Sequence, residues 1–293
     1  MNLEIETISW SFAGRVISET FYQFFALFGL ILLSGIILYF ISRLTRNMFH
    51  NAGYPKLDIY LTGWIGTPVH ELGHAFFCLV FGHQITEIKL FSPNSEDGTL
   101  GYIHHSYNKK SIYQRIGLFF IGTGPIIFGS MVLYALLYVC CPERPEISGI
   151  ISPPDLAEPG MGQWWKFLGV LVTGGIHILS GVFSPANFAS IWFWIFVYVS
   201  FCISSHMQLS PPDLKSMISG LITILLVLLV VNLLVMFLGF NFTTHLLKVS
   251  RFIGGYSGIF ILAISLSMVN FFFTYLVLSV MFYLKYRKIL SIF

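Results

Sequence analysis

The chain has 293 residues, of which 56% are hydrophobic and only 10% are charged, a composition outside the range of soluble globular domains. The formal net charge of +3 is small, and no basic run is long enough to indicate a nucleic-acid partner. The composition therefore predicts an integral membrane protein that contacts the lipid bilayer, and it argues against a nucleic-acid-binding protein.

A transmembrane helix needs roughly 20 predominantly apolar residues. Six stretches reach that length, and in chain order they are residues 21–42, 59–82, 116–140, 188–209, 216–240 and 258–285. No cleavable signal peptide is expected, because Glu4, Glu6 and Arg15 interrupt the start of the chain. We therefore predict an all-α polytopic membrane protein with about six transmembrane helices.

Two connecting segments are long enough to have structure of their own. Residues 85–91 and 99–105 are rich in β-branched and aromatic side chains and flank a turn cluster, which predicts a small membrane-associated β-hairpin over 85–105. The loop 142–187 begins with a proline-rich stretch and continues, over 164–183, as an apolar segment that either lies at the membrane surface or re-enters the membrane. A seventh span is the alternative for this segment.

The lysines and arginines of the short loops slightly favour a cytosolic N-terminus. With six spans, the C-terminus is then expected on the cytosolic side as well. The four cysteines have neither the spacing of a zinc ribbon nor that of a redox motif, so no role is predicted for them.

The second of the six apolar stretches, 59–82, contains His70, Glu71 and His74 in the pattern H-E-x-x-H. On a helix, positions four apart share a face, so both imidazoles can bind one Zn²⁺ while Glu71 accepts a proton from a water molecule. Ionisable groups inside an apolar helix cost at least ~2.5 kcal/mol each on insertion scales, which favours a functional role. The alternative is that the histidines are buried polar residues that hydrogen-bond to neighbouring helices.

A catalytic zinc ion generally has a third protein ligand. Asp213 is the foremost candidate, because Pro211 and Pro212 break the helix before it and a break can project a carboxylate inward. The alternative for Asp213 is an ordinary helix N-cap. His206, seven residues earlier, is the other contender, as a ligand, as a hydrogen-bond donor to a ligand or as a core histidine.

The chain resembles the site-2 protease family of intramembrane zinc metalloproteases, as a divergent member. The resemblance covers residues 59–220 and rests on three motifs in order, namely His70-Glu71-Leu72-Gly73-His74, Gly122-Thr123-Gly124-Pro125 and Pro211-Pro212-Asp213. Two positions depart from the family pattern: Phe128 stands where the family often has asparagine, and Leu214 follows Asp213 where the family has glycine.

The resemblance implies a three-helix metalloprotease core in which His70, His74 and Asp213 bind zinc and Glu71 is catalytic, with Gly124 and Pro125 in core packing or substrate contact. It divides the chain into residues 1–57 with the first transmembrane helix, the core over 58–220, and C-terminal transmembrane helices over 221–293. The implied activity is that of a metalloendopeptidase acting on membrane-spanning protein substrates.

Three further points stay open at this stage. The hairpin either captures an extended substrate by β-addition or only stabilises its loop. The chain could also be a zinc-binding membrane scaffold or regulator without proteolytic activity. A third possibility is an ion transporter whose intramembrane histidines bind the permeating ion.

Overall fold

The computed structural model describes residues 2–95, 98–146, 161–240, 242, 243, 246 and 257–291. The described part is mostly helical, with one two-stranded sheet. In chain order the helices are α1 (Asn2–Asn51), α2 (Pro55–Asp58), a π-helical segment (Ile59–Gly63), α3 (Trp64–Val80), α4 (Ile112–Cys140), α5 (Met161–Val182), α6 (Pro185–Phe188), α7 (Ile191–Ser205), α8 (Pro211–Phe237) and α9 (Ser257–Tyr286). The strands are β1 (Gln84–Lys89) and β2 (Tyr102–Ser106).

Within the described residues, four helices are long and apolar enough to cross a membrane. They are Phe12–Asn51, Ile112–Cys140, Pro211–Phe237 and Ser257–Tyr286. These helices include most or all of four of the six stretches predicted from the sequence, so the structure supports a multi-pass membrane protein. The predicted count of six spans is not confirmed.

The stretch predicted as a span over 188–209 forms a shorter helix. Ser190 has an extended backbone, α7 begins at Ile191, and it ends at Ser205, so it has 15 residues. At 1.5 Å per residue α7 is about 23 Å long, less than the roughly 30 Å of a bilayer core. The stretch predicted over 59–82 is helical up to Val80, because α3 continues backwards without a gap through the π-helical segment into α2, but it is not one of the four candidate spans.

The β-hairpin is present. Strands β1 and β2 pair antiparallel, with a bulge between Ile85 and Glu87, and they lie one to three residues from the predicted bounds. In the loop 142–187, residues 147–160 lie outside the described part, and α5 and α6 occupy its second half. Whether α5 re-enters the membrane stays a prediction.

Helices α3, α4 and α8 meet through glycines. A Cβ on Gly73 of α3 would lie 2.8 Å from the carbonyl group of Gly124 in α4, and a Cβ on Gly122 would lie 2.6 Å from the carbonyl oxygen of Asp213. A Cβ on Gly220 of α8 would lie 2.0 Å from the backbone nitrogen of Phe119. Only glycine permits helix backbones to approach this closely, as is typical of helix packing in membranes. The three helices that carry the predicted site are therefore in backbone contact.

The largest buried apolar cluster lies beside these contacts, where side chains of α1, α4, α5, α7 and α9 pack together. A polar pair joins α1 to α8: the side-chain amides of Gln23 and Asn232 exchange two hydrogen bonds of 2.9 Å each. Both side chains are buried. Such a reciprocal pair satisfies polar groups that an apolar environment would otherwise leave without partners.

Candidate metal centre

The structure brings His70, His74 and Asp213 together, although Asp213 is far from the other two in the sequence. The Nε2 atoms of His70 and His74 are 3.2 Å apart. Asp213 Oδ1 lies 3.1 Å from Nε2 of His74, and Asp213 Oδ2 lies 3.6 Å from Nε2 of His70. The three side chains each offer one possible ligand atom, and these atoms lie within 4.8 Å of one another.

The other ring nitrogen of each histidine faces a backbone carbonyl. His70 Nδ1 is 2.7 Å from the carbonyl oxygen of His206, and His74 Nδ1 is 2.7 Å from that of Ile121. A carbonyl oxygen can only accept a hydrogen bond, so both Nδ1 atoms donate and carry the proton. Both Nε2 atoms of the neutral rings then have lone pairs directed at the shared site, which is the arrangement found in histidines that bind metals.

Each of these carbonyls is available because of a local irregularity in a helix. His206 is the C-cap residue of α7, and its carbonyl belongs to the group that helix ends leave without an intrahelical partner. The carbonyl of Ile121 would normally accept from the N–H of residue 125, four positions later, but Pro125 has no N–H. Pro125 therefore makes the Ile121 carbonyl available to His74.

Asp213 is held by the start of α8. Its Oδ2 accepts a hydrogen bond of 2.7 Å from the backbone N–H of Ser210, and its own backbone N–H donates to the Ser210 hydroxyl at 3.4 Å; these two bonds form a capping box. The Ser210 hydroxyl also donates to Oδ2 at 2.7 Å. Ser210 is thus the N-cap, and the alternative that Asp213 itself is the cap is wrong. Pro211 and Pro212 occupy the first helical positions, where a missing N–H costs nothing. The cap directs Oδ1 of Asp213 towards His74.

The distances between these atoms fit a bound metal ion. A tetrahedral zinc ion with bonds of about 2.0–2.1 Å holds its ligand atoms about 3.3 Å apart. The separation of 3.2 Å between the two Nε2 atoms and that of 3.1 Å between His74 Nε2 and Asp213 Oδ1 lie close to that value, and the other oxygen, Asp213 Oδ2, lies 3.6 Å from His70 Nε2. Two imidazole lone pairs and a carboxylate this close repel one another unless added protons or a shared cation separate them. The donor set of two imidazoles and one carboxylate is one that zinc accepts.

Glu71 lies beside the cluster and lines the same cavity, which has a volume of about 660 Å³. In the described part of the chain, the Glu71 carboxylate has no hydrogen-bond partner, although the residue is buried. The loop before β2 covers it: a Cβ on Gly101 would lie 2.9 Å from Glu71 Cγ. Residues 102–105 of β2 line the cavity as well.

The remaining candidates from the sequence take other roles. The imidazole of His206 is not part of the cluster. Its Nδ1 lies 3.2 Å from the carbonyl oxygen of Cys202, and the ring packs against Gly66. His206 contributes its backbone carbonyl instead. Gly124 lies in the contact between α3 and α4, which agrees with the predicted packing role.

Sequence reasoning missed the two backbone carbonyls that orient the histidines. Proline in the middle of α4 was a signal that one carbonyl, four residues earlier, lacks its helical partner. Which side chain would use that carbonyl depends on how α3 packs against α4, and the sequence does not state this.

Comparisons with protein-family models, with curated proteins and with solved structures found no match to this chain.

Proposed function

We propose that this chain is an intramembrane zinc metalloendopeptidase, related in its motifs to the site-2 protease family, that hydrolyses peptide bonds of membrane-embedded protein substrates. The observation that carries the proposal is the convergence of His70 Nε2, His74 Nε2 and an Asp213 carboxylate oxygen, with both Nδ1 protons directed away to carbonyls. A pair of structural histidines has no need of this arrangement. Histidines that bind a metal almost always show it.

His70, His74 and Asp213 would hold the ion, and zinc when bound supplies Lewis acidity that activates a water molecule and polarises a peptide carbonyl. Glu71 accepts the proton of that water and passes it to the leaving amine. Its position supports this role, since a carboxylate without a hydrogen-bond partner in the described structure retains its capacity to take a proton.

A helical substrate must unwind before cleavage, because helical hydrogen bonds occupy its peptide carbonyls. Strand β2 has β1 on one side in the described sheet, and residues 102–105 line the cavity beside Glu71. An extended segment added along β2 would pass next to the proposed catalytic groups. This supports substrate capture by β-addition over a hairpin that only stabilises its own loop.

The test uses a helix-containing membrane peptide incubated with the purified protein in detergent or liposomes. We expect the wild-type chain to cleave the peptide and Glu71→Gln to lose cleavage by a factor of about 10² or more while retaining zinc. A scaffold would show no cleavage in either protein. A transporter would bind the metal weakly and exchange it, so tight zinc retention by Glu71→Gln separates a hydrolase from a transporter.

A further inference from the structure

A second cluster of metal-ligating side chains lies at the other end of α3. Cys78 in α3, His83 just beyond its end and His105 in β2 each offer one ligand atom, and these atoms lie within 4.8 Å of one another. His83 Nδ1 is 3.0 Å from His105 Nδ1. None of these residues belongs to the site formed by His70, His74 and Asp213. The cluster therefore needs its own explanation.

The environment of His83 prepares it as a ligand. Its Nε2 is 2.8 Å from the backbone carbonyl of Gln114 in α4, which fixes the proton on Nε2 and leaves the lone pair of Nδ1 directed at the cluster. The ring also stacks on Tyr107, with centroids 5.1 Å apart and planes inclined by 16°. Both contacts hold the imidazole in one orientation.

The chemical state of the two histidines suits metal binding. Burial lowers the pKa of His83, and it lowers the pKa of His105 to about 4. Both rings are then neutral near neutral pH, which is the form that binds a cation. Cys78 is fully buried among apolar side chains that include Phe77, Phe81 and Ile121.

The distances agree with one shared ion. Two nitrogen ligands of a tetrahedral zinc ion lie about 3.3 Å apart, close to the 3.0 Å between the two Nδ1 atoms. The thiol adds the soft ligand that distinguishes zinc-type sites from those of magnesium or calcium. The competing explanation is a direct hydrogen bond from His105 Nδ1–H to His83 Nδ1, with the thiol as a bystander.

We propose that Cys78, His83 and His105 bind a second divalent metal ion of the zinc class. This ion connects the C-terminal end of α3 and the following turn to strand β2, and thereby fixes the hairpin over the cavity that contains Glu71. The site shares no ligand with the proposed catalytic centre. In the sequence, Cys78 continues the helical stripe of His70 and His74, since it lies four residues after His74 and His74 lies four after His70.

The experiment loads the detergent-purified 293-residue chain with Co²⁺ in place of zinc and records the near-ultraviolet absorption band of a thiolate bound to cobalt. The catalytic centre has no cysteine, so this band reports the second site alone. We expect the band in the wild type and in Asp213→Ala, and we expect its loss in Cys78→Ser. Cys140→Ser, which replaces a buried cysteine away from the cluster, is the matched control and should keep the band.

His105→Gln provides an independent variant on the hairpin. It should weaken cobalt binding, followed by the same band, by about tenfold or more because one ligand is lost. Absence of the band from the wild type would overturn the proposal, and so would its persistence in Cys78→Ser. A band in Asp213→Ala together with failure of zinc binding by His70 and His74 would support the second site while refuting the first.

Discussion

Pro125 of α4 is connected to His74 of α3 through a single carbonyl group, that of Ile121. The proline lacks the N–H that would bond this carbonyl within the helix, and His74 Nδ1 donates to it instead at 2.7 Å. A residue outside the cluster of His70, His74 and Asp213 thus sets the orientation of a proposed ligand. The same logic applies to the C-cap carbonyl of His206 and to His70.

Pro125→Ala should weaken zinc binding. Alanine restores an N–H that competes with His74 for the Ile121 carbonyl, and loss of such a partner costs about 10–100-fold in metal affinity. Competition with a chromophoric chelator measures the affinity. Pro68→Ala is the matched control, since Pro68 also lies inside a helix. The carbonyl four residues before Pro68 is not one of the two that His70 and His74 contact. Equal affinities in the wild type and Pro125→Ala would refute the role of the proline.

Gly73→Ala should destabilise the protein although alanine is the better helix former. Its Cβ would lie 2.8 Å from the Gly124 carbonyl, so α3 and α4 must separate, at a cost of about 1–3 kcal/mol. Gly29→Ala is the control, because its Cβ meets only the Phe25 side chain, at 3.8 Å. Thermal unfolding in detergent should show a lower midpoint for Gly73→Ala alone. A midpoint equal to that of Gly29→Ala would contradict the close packing.

Ser210→Ala should affect both the helix and the metal. It removes the hydroxyl that caps α8 and bonds Asp213 Oδ2, which costs about 0.5–2 kcal/mol of stability. Because Asp213 then loses part of its orientation, zinc affinity should fall by about tenfold. Ser210→Thr retains the hydroxyl and should restore both quantities. Failure of threonine to restore the zinc affinity would show that the hydroxyl is not the group that matters.

The amide pair between α1 and α8 should contribute to stability and not to the metal site. Gln23→Leu and Asn232→Leu should each destabilise the protein, and their double variant should lose less than the sum, with a coupling of about 0.6 kcal/mol. Zinc content should not change. Ser34→Ala, on a buried serine whose hydroxyl has no partner among the described residues, should have little effect. Strict additivity of Gln23→Leu and Asn232→Leu would contradict the pairing.

Several features could be predicted from the sequence because they depend on local patterns. The spacing of His70 and His74 places them on one helical face, and Pro211 and Pro212 mark where α8 begins. β-Branched and aromatic residues on either side of a turn cluster located the hairpin. The polar character of H-E-x-x-H within an apolar helix indicated a functional site.

Other features depend on tertiary contacts and could not be read in this way. The stretch 188–209 is apolar nearly throughout, so hydropathy predicts one span, whereas the backbone is extended at Ser190 and the helix ends before His206. The second cluster combines Cys78 with a histidine in a strand, and no fixed spacing predicts that pairing. Packing of the hairpin against the end of α3 creates it.

Zinc content measured on two purified proteins, Cys78→Ser and Cys78→Ser combined with Asp213→Ala, tests the central claim most directly. The first variant removes the proposed second site, so it should retain about one zinc ion per chain at the cluster of His70, His74 and Asp213. The second should retain almost none after the same purification. Equal zinc content in the two proteins, or none in Cys78→Ser, would contradict the metal centre on which the proposed peptidase depends.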